Sequence, residues 1–389
     1  MLRYTTAGES HGPGLTAIIE GVPAGLALSR DRIDEDLRRR QRGHGRGGRM
    51  RIENDRVQIV GGVRFGRTLG SPVAIFIPNL DFENWRAAMA VWDAPPSGDL
   101  ARRVRRPRPG HADLAGALKY DTHDARDVLE RASARETTMR VAAGAIAKAL
   151  LGEIGAAVTA HTVAVGEVAI AHPDSVPFAR IARLPEASPL RCTNRAAQRR
   201  MIAAIDAARR ARDTIGGVFQ VVARGLPAGL GSMASADRRM DARLAGAFMS
   251  IPAVKAVSIG EGVRAAALRG SRVHDEIYYR RGRGFYRRTN RAGGLEGGIT
   301  TGEEIRITGY LKPLSTLARP LASVDLVTKR AAVGAVERTD TIPILAAGVI
   351  GEAMMALVLA DAALEKFGGD SVRELARNHS GYLRQLAKY

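Results

Sequence analysis

The fold is most constrained by a run of apolar residues near the C-terminus, which extends from Ile342 to Leu359. At about 18 residues, this run approaches the length of a membrane-spanning helix. Glu352 lies at its middle, Pro343 lies near its start, and Asp361 follows it closely. Because a carboxylate is costly at the centre of a bilayer, the pattern favours a buried helix in a soluble core. We therefore predict a core helix over Pro343–Phe367 and expect no membrane partner.

The other hydrophobic patterns predict helices and strands in a mixed order. Apolar residues at helical spacing predict further helices at Arg30–Gln41, Arg135–Ile154, Arg195–Ala211 and Asp237–Met249. Strands are predicted at Thr16–Glu20, Val57–Val60, Val73–Ile77, Ala157–Ala169, Gly217–Ala223, Ala253–Ile259 and Glu304–Leu311. Several strands are separated only by glycine-bearing loops, which does not fit the regular alternation of a doubly wound sheet. We therefore expect an α+β fold and, because no low-complexity linker divides residues 1–389, a single domain.

Composition excludes several classes of protein. The 389 residues are 45% hydrophobic, which is ample for a large core. Cys192 is the only cysteine, so a disulfide framework within one chain and a multi-cysteine metal site are both ruled out. The opening residues Met1–Tyr4 lead into polar residues and glycine, which does not fit a secretory signal peptide. We therefore expect a cytoplasmic protein.

The chain is strongly basic, with 59 Lys and Arg residues against 40 Asp and Glu residues and a net charge of +19. Such a balance is found on solvated basic surfaces and in nucleic-acid-binding proteins. Here arginines concentrate in the glycine-rich segments 38–51 and 102–108, without zinc-finger spacing or an aromatic RNA-binding strand. Arginines in loops of this kind better suit a small phosphorylated or carboxylated ligand. Nucleic-acid binding remains the alternative, and it predicts an affinity that depends steeply on salt.

Two histidines lie in similar settings about a hundred residues apart, each beside glycine and arginine. His11 lies within Gly8–Gly12, and His111 lies within Arg108–Asp113. Imidazole is the side chain best suited to move protons near pH 7. The two segments therefore predict a site at which protons are transferred to a polyanion. The histidines show no metal-ligand spacing such as H-E-x-x-H, so no metal is expected.

Two familiar patterns occur without the context that their function needs. Gly8–Gly12 has the letters of the G-x-S-x-G nucleophile elbow, which must lead from a strand directly into a helix. Pro13 and Gly14 follow it, and Leu15–Ile19 has the pattern of a strand. The G-x-G-x-x-G pattern at Gly43–Gly48 follows a charged helix instead of a hydrophobic strand. We therefore reject both a serine hydrolase and a dinucleotide fingerprint.

Two further segments suit a bound cofactor. The glycines of Asn290–Thr300 would let the backbone lie flat against a planar ring. Lys312–Thr316 offers a cation and two hydroxyl groups. Together with the histidine blocks, these segments resemble the chorismate synthase family over nearly the whole chain. The matching blocks are Gly8–Gly14, Gly43–Met50, Arg108–Asp113, Lys119–Asp124, Arg131–Arg140, Asp237–Gly246, Arg288–Gly298, Lys312–Thr316 and Arg338–Asp340.

The resemblance implies a fold, a reaction and an assembly. The fold is a β-α-β sandwich in which helices pack between antiparallel sheets, assembled as a homotetramer. The reaction is the last step of the shikimate pathway, which leads to the aromatic amino acids. It is the anti-1,4-elimination of phosphate and a ring proton from 5-enolpyruvylshikimate-3-phosphate to give chorismate. Such a lyase requires reduced FMN although the reaction has no net redox change.

The resemblance also implies roles for individual residues. His11 is expected to be the acid that assists phosphate departure, and His111 to protonate the reduced flavin. Asp340 is expected to help relay the proton from the flavin. The expected substrate-binding residues are Ser10, Arg49, Arg108, Arg135 and Arg338.

The flavin contacts implied by the resemblance come from several loops. They are Arg131, Ala132, Ser133, Pro252, Ala253, Gly297, Lys312, Pro313, Leu314, Ser315, Thr316 and Arg338. Arg40 and Arg46 align with positions assigned to NADPH, the possible reductant of the flavin. A flavin- and phosphate-binding protein that has lost its chemistry is a further alternative, and it predicts binding without turnover.

Overall fold

The computed structural model describes residues 1–47, 54–92, 102–337 and 339–389. Arg49 and Arg338, two of the expected substrate-binding residues, lie outside these ranges. The strands are β1 (Arg3–Ala7), β2 (Gly14–Glu20), β3 (Gln58–Gly61), β4 (Val63–Arg64), β5 (Arg67–Thr68), β6 (Val73–Pro78), β7 (Ala157–Val165), β8 (Val168–Ala169), β9 (Gly217–Arg224), β10 (Val254–Ile259), β11 (Ile277–Arg280), β12 (Gly284–Arg287), β13 (Leu295–Glu296), β14 (Ile299–Thr300), β15 (Ile305–Leu311), β16 (Ala322–Val324) and β17 (Ala331–Val333).

All five predicted helices are present. The α-helices of the described ranges are α1 (Arg30–Gln41), α2 (Asp113–Tyr120), α3 (Arg126–Ala132), α4 (Thr137–Gly152), α5 (Phe178–Ala182), α6 (Arg195–Arg210), α7 (Met240–Met249), α8 (Ile344–Phe367) and α9 (Val372–Lys388). The helix α1 has the predicted bounds, and the side chain of Ser29 caps its first turn. Two of the predicted starts are early because a 3₁₀ turn precedes α4 at Ala134–Glu136 and α7 at Ala236–Arg238.

Two antiparallel sheets carry most of the strands. The first has the order β1-β2-β6-β3, and the second has the order β10-β15-β9-β7-β8. All the pairings in both sheets are antiparallel. The predicted single strand Ala157–Ala169 is wrong in one respect, because the chain reverses at Gly166, where φ is +53°. Glycine tolerates this left-handed conformation, so β7 and β8 form a hairpin.

Helices α4 and α8 fill the space between the two sheets. The helix α4 packs against α8 and touches β1 and β2 of the first sheet, whereas α8 packs on β7 and β9 of the second. The two helices approach closely at Gly144, where a Cβ atom would come within 2.3 Å of the Ala353 Cβ. This arrangement confirms the expected α+β sandwich with helices between antiparallel sheets.

The apolar run Ile342–Leu359 lies mainly in α8, the central helix of the protein. Of the helices described, α8 alone is long and apolar enough to cross a membrane, but 89% of its most apolar window is buried inside the protein. Glu352 is 1% exposed and accepts hydrogen bonds from Arg39 at 2.7 Å and from Lys148 at 2.6 Å. The two cations satisfy the carboxylate that a bilayer would leave unpaired.

Four helices, the first strand and eight strands of two to four residues were not predicted; the eight are β4, β5, β11, β12, β13, β14, β16 and β17. The C-terminal helix α9 carried a signal that could have found it, because Ser371 and Glu374 form a capping box at its start. Helices α2, α3 and α5 span only eight, seven and five residues. Such lengths are too short for a 3.6-residue period to stand out.

Candidate active site

A cavity of about 570 Å³ opens at the N-terminal end of α8. Its volume is in the range of small-molecule binding sites. The β1–β2 loop, the loop before α2, the α3–α4 junction and the segment after β15 form its walls. Fourteen predicted site residues line it: Ser10, His11, Arg40, Arg46, Arg108, His111, Ser133, Arg135, Pro252, Ala253, Leu314, Ser315, Thr316 and Asp340.

Five other predicted site residues lie outside the lining of this cavity. Arg131 donates hydrogen bonds to the backbone and hydroxyl oxygens of Thr6, at 2.8 and 2.6 Å, so its guanidinium ties α3 to β1. Lys312 donates to the carbonyl of Gly110 and so supports the loop that carries His111. The remaining three are Ala132, Pro313 and Gly297. Cofactor contacts for these five stay predictions.

The loop between β1 and β2 presents His11 to the cavity. The backbone N–H of His11 donates to Oε2 of Glu130 at 2.8 Å, and the ring Nδ1 lies 2.8 Å from Oε1 of the same carboxylate. The Ser10 hydroxyl, also predicted to be in the site, accepts a hydrogen bond from Ser133 at 3.1 Å. Because this loop joins two antiparallel strands, the nucleophile-elbow interpretation is excluded.

The carboxylate of Glu130 fixes the proton on His11. Burial raises the pKa of Glu130, but hydrogen bonds from His11 and Arg126 outweigh this effect and hold the pKa below its usual value. Glu130 is therefore ionised at neutral pH and can only accept. Nδ1 of His11 must carry the proton of this contact, which leaves Nε2 for chemistry.

His111 has the same arrangement with a different carboxylate. Its Nδ1 lies 2.5 Å from Oδ1 of Asp113, which is fully buried. Burial raises the pKa of Asp113, but hydrogen bonds from His111 and Arg108 hold it well below its usual range. The proton again lies on Nδ1, so the 3.1 Å approach of the Arg108 Nη2 to that nitrogen is a contact and not a hydrogen bond.

The arginines of the cavity wall hold carboxylates of their own. Arg135 donates to Asp55 at 2.6 Å, and Arg108 donates to Asp113 at 2.8 Å. Arg46 donates to Asp340 at 2.6 Å. The wall therefore does not present these guanidinium groups as isolated charges.

Comparison with known proteins decides the family. The sequence model of the family described as chorismate synthase matches residues 2–364. A chorismate synthase of Solibacter usitatus is 54% identical over 100% of both chains, and that of Moorella thermoacetica is 54% identical over 99% of both. A crystal structure of chorismate synthase has a TM-score of 0.80 and 39% identity, covering 100% of this chain and 99% of that one.

The chain belongs to the chorismate synthase family. This membership confirms the function that the sequence blocks predict. The protein is a lyase of the shikimate pathway that acts on a small-molecule substrate, and a flavin cofactor is a general property of chorismate synthases.

Among the described residues of this chorismate synthase cavity, the positive and negative charges nearly cancel. Six arginines of the described residues line it: Arg40, Arg46, Arg102, Arg108, Arg126 and Arg135. Five carboxylates lie among or directly behind them: Asp55, Asp113, Glu130, Glu337 and Asp340. The described cavity thus has one excess positive charge when both histidines are neutral.

One wall of the cavity is apolar and suits a planar ring. It is formed by the first turns of α8, where Ala346, Ala347 and Ile350 face the cavity, and by Leu311 and Leu314. The alanine side chains leave a shallow surface, and the N-terminal end of a helix favours a phosphate. The residues present therefore fit a flavin cofactor, because the apolar wall suits a planar ring and the arginines suit an anionic group.

Three important side chains were absent from the sequence predictions. Glu130 lies 119 residues from His11, and no pattern in the sequence joins them. Asp113 lies within the His111 block and was not given a role. Trp85 lines the cavity and stacks on His11 with ring centroids 3.8 Å apart. One of only two tryptophans, it carried no other signal.

Proposed function

We propose that this chorismate synthase uses reduced FMN to convert 5-enolpyruvylshikimate-3-phosphate to chorismate. The carbon–oxygen bond to phosphate breaks and the electron pair leaves with phosphate. The ring loses one proton, the electrons of that carbon–hydrogen bond form a new double bond, and the existing ring double bond shifts to the carbon that loses phosphate. The observation that carries the proposal is the pair of carboxylate-bound histidines on one cavity lined with arginine.

His11 is the proposed acid for phosphate departure. Because Glu130 holds the proton on Nδ1, a second proton on Nε2 makes the ring an imidazolium that can donate to an oxygen. The substrate carries about four negative charges, and one ion pair at 4 Å contributes up to about 4 kcal/mol at an effective dielectric of 20. Substrate binding therefore favours the acidic form of His11.

The other residues of the cavity are proposed to bind and orient the substrate and the flavin. Reduced FMN, when bound, supplies electron density to the substrate. His111 is proposed to hold at Nε2 the proton that protonates the reduced flavin, and Asp340 to help relay the proton from the flavin. We also propose Ser10, Arg49, Arg108, Arg135 and Arg338 as the substrate contacts.

Several features of the enzyme as a whole complete the proposal. The flavin contacts are proposed at Arg131, Ala132, Ser133, Pro252, Ala253, Gly297, Lys312, Pro313, Leu314, Ser315, Thr316 and Arg338. We propose Arg40 and Arg46 for NADPH, a cytoplasmic location and a homotetramer. We also propose a single domain, which the continuous cluster of buried apolar side chains from Leu2 to Leu375 supports.

The proposal is tested by measuring turnover with FMN that has been reduced beforehand. Protein, anaerobically reduced FMN and 5-enolpyruvylshikimate-3-phosphate are mixed, and chorismate absorbance and released phosphate are followed together. We expect equal amounts of both products. His11→Ala should slow phosphate release by about 10²-fold or more while FMN binding is retained. His274→Ala is the matched control, because His274 is exposed and lies outside the cavity lining.

Each alternative gives a different result in the same experiment. Binding of both ligands without product would support a protein that has lost its chemistry. Affinity for DNA or RNA that falls steeply with salt, without turnover, would support the nucleic-acid alternative. Replacing reduced FMN by oxidised FMN and NADPH tests whether the enzyme reduces its own flavin.

A further inference from the structure

Three contacts hold His11 from different directions. Its backbone N–H and its Nδ1 both bind Glu130, and its ring stacks on Trp85 with an interplanar angle of 22°. The loop on either side is fixed as well, because the Asn79 amide donates to the carbonyl of Gly12 at 2.6 Å. An imidazole held in this way has neither a free tautomer nor a free ring rotation.

We propose that Glu130 and Trp85 are positioning residues that present Nε2 of His11 to the departing phosphate. Glu130 selects the nitrogen that carries the fixed proton, and Trp85 sets the plane of the ring. This inference rests on the proposed role of His11 as the acid of the reaction. Positioning of this kind contributes to catalysis because a small displacement of a reacting atom slows proton transfer strongly.

Glu130 is itself held in place. It is 3% exposed, and Nη1 of Arg126 donates to its Oε1 at 3.1 Å. The second amino group of Arg126 donates to Glu337 at 3.0 Å, and Glu337 lines the cavity. A carboxylate fixed by an arginine keeps its charge and stabilises an imidazolium beside it.

Trp85 is also held in place, by one carboxylate and two arginines. It is 6% exposed, and its indole N–H donates to Asp81 at 3.2 Å. The guanidinium carbon of Arg102 lies 4.1 Å from the ring centroid, and that of Arg126 lies 5.1 Å from it. His111, in contrast, has a carboxylate but stacks on no aromatic ring in the described ranges. The ring contact is therefore a particular feature of His11.

Tryptophan fluorescence tests this positioning without cofactor or substrate. Trp92 is 90% exposed and lies outside the cavity lining, so Trp92→Phe leaves Trp85 as the only tryptophan and should retain activity. A stacked imidazolium quenches indole emission, so the emission should fall as His11 gains its second proton. We expect a single titration that His11→Gln abolishes and His274→Ala leaves intact.

The Glu130 variant gives the decisive comparison. In the Trp92→Phe background, Glu130→Gln retains an acceptor for Nδ1 but removes the negative charge. The quenching midpoint should move to lower pH because the imidazolium loses its negative neighbour, and kcat should fall at least tenfold while KM changes less than twofold. Emission that is independent of pH, or an unchanged midpoint, would overturn the assignment of Glu130.

Variants of Trp85 test the stacking contact with His11. They also provide a test of the proposal if the Glu130 variant does not fold. Trp85→Phe keeps an aromatic face, whereas Trp85→Leu removes it, so kcat should fall much further in the second. Equal kcat for both would overturn the role of the ring. If quenching responds as expected but the wild-type protein makes no chorismate, the positioning stands and only the proposed function fails.

Discussion

Oδ1 of Asp113 lies 2.5 Å from Nδ1 of His111, and the other oxygen of this carboxylate accepts hydrogen bonds from the backbone N–H and Nε of Arg108. Glu130 likewise contacts both a histidine and an arginine, although Arg126 donates to Oε1, the oxygen that lies nearest Nδ1 of His11. Both histidines thus carry a buried carboxylate on Nδ1 that an arginine neutralises from behind. In both cases Nε2 is the ring nitrogen that the carboxylate leaves available.

Replacing Asp113 by Asn should destabilise the protein by about 3–5 kcal/mol at pH 7, because Arg108 then keeps a buried charge without its partner. Since folding lowers the pKa of Asp113, its contribution is present above the unfolded-state pKa and is lost as the pH falls through the lower folded-state value. Urea unfolding of both proteins from pH 7 to pH 4 measures this. The deficit of Asp113→Asn should persist across that range; a deficit that vanishes by pH 5 contradicts the account.

His161 should make the protein sensitive to acid. It is 2% exposed, and burial lowers the pKa of His161 to about 4, with Arg306 and Arg191 adding to the effect. The unfolded chain binds a proton near pH 6.5 and the folded chain does not, so stability falls by up to about 3 kcal/mol between pH 6.5 and pH 4.

His161→Gln should remove most of that acid loss, since the amide does not titrate. Thermal unfolding at several pH values compares the two proteins, with His274→Ala as the control for an exposed histidine. Parallel curves for wild type and His161→Gln would show that another group is responsible.

Gly144→Ala should destabilise the protein by about 1–3 kcal/mol through overpacking. The added Cβ would lie 2.3 Å from the Ala353 Cβ and 2.5 Å from its Cα, so α4 and α8 must move apart. Gly246 in α7 is the matched control, because it is exposed and no atom lies within 4 Å of a Cβ placed there. Gly246→Ala should stabilise by about 0.5–1 kcal/mol. Chemical denaturation of both variants checks the opposite signs.

Asp340→Asn should lower kcat by about 10²-fold or more if Asp340 moves the ring proton. The amide oxygen can still accept from the N–H of Gly47, which now donates to Oδ1 at 2.6 Å, so the loop should stay in place. Removing the charge also replaces the ion pair between Arg46 and residue 340 by a contact with a neutral amide. Steady-state kinetics of Asp340→Asn, Arg46→Met and the double variant measure their coupling. Strictly additive effects on kcat would show that the contact between Arg46 and Asp340 does not contribute to turnover.

The sequence was sufficient where a pattern is local and long. The helix α1 was predicted to the residue, and α8 was recognised because Glu352 interrupts an otherwise apolar run. The family resemblance carried by short sequence blocks also predicted fourteen of the residues that line the cavity. Each of these signals lies within about 25 consecutive residues, over which helical periodicity and motif spacing are defined.

The partners of the site residues could not be predicted in this way. Glu130 meets His11 across 119 residues, and Asp55 meets Arg135 across 80. Such pairs are set by the packing of the first sheet on α3 and α4, which no local spacing encodes. The role of Trp85 was even less predictable, because a tryptophan in a sequence is equally compatible with a position in the hydrophobic core and a position in a cavity wall.

The position of α8 has a consequence for how the cavity can open. Its first turns form the apolar wall of the cavity, while the same helix continues through the centre of the protein, with Glu352 bound to Arg39 and Lys148. Backbone amides there can exchange with solvent only when the core itself opens. Amide hydrogen exchange should therefore be as slow at Ile350 as at the middle of α8. Substrate must therefore enter past the loops of the cavity, because the wall formed by α8 moves only when the whole fold opens.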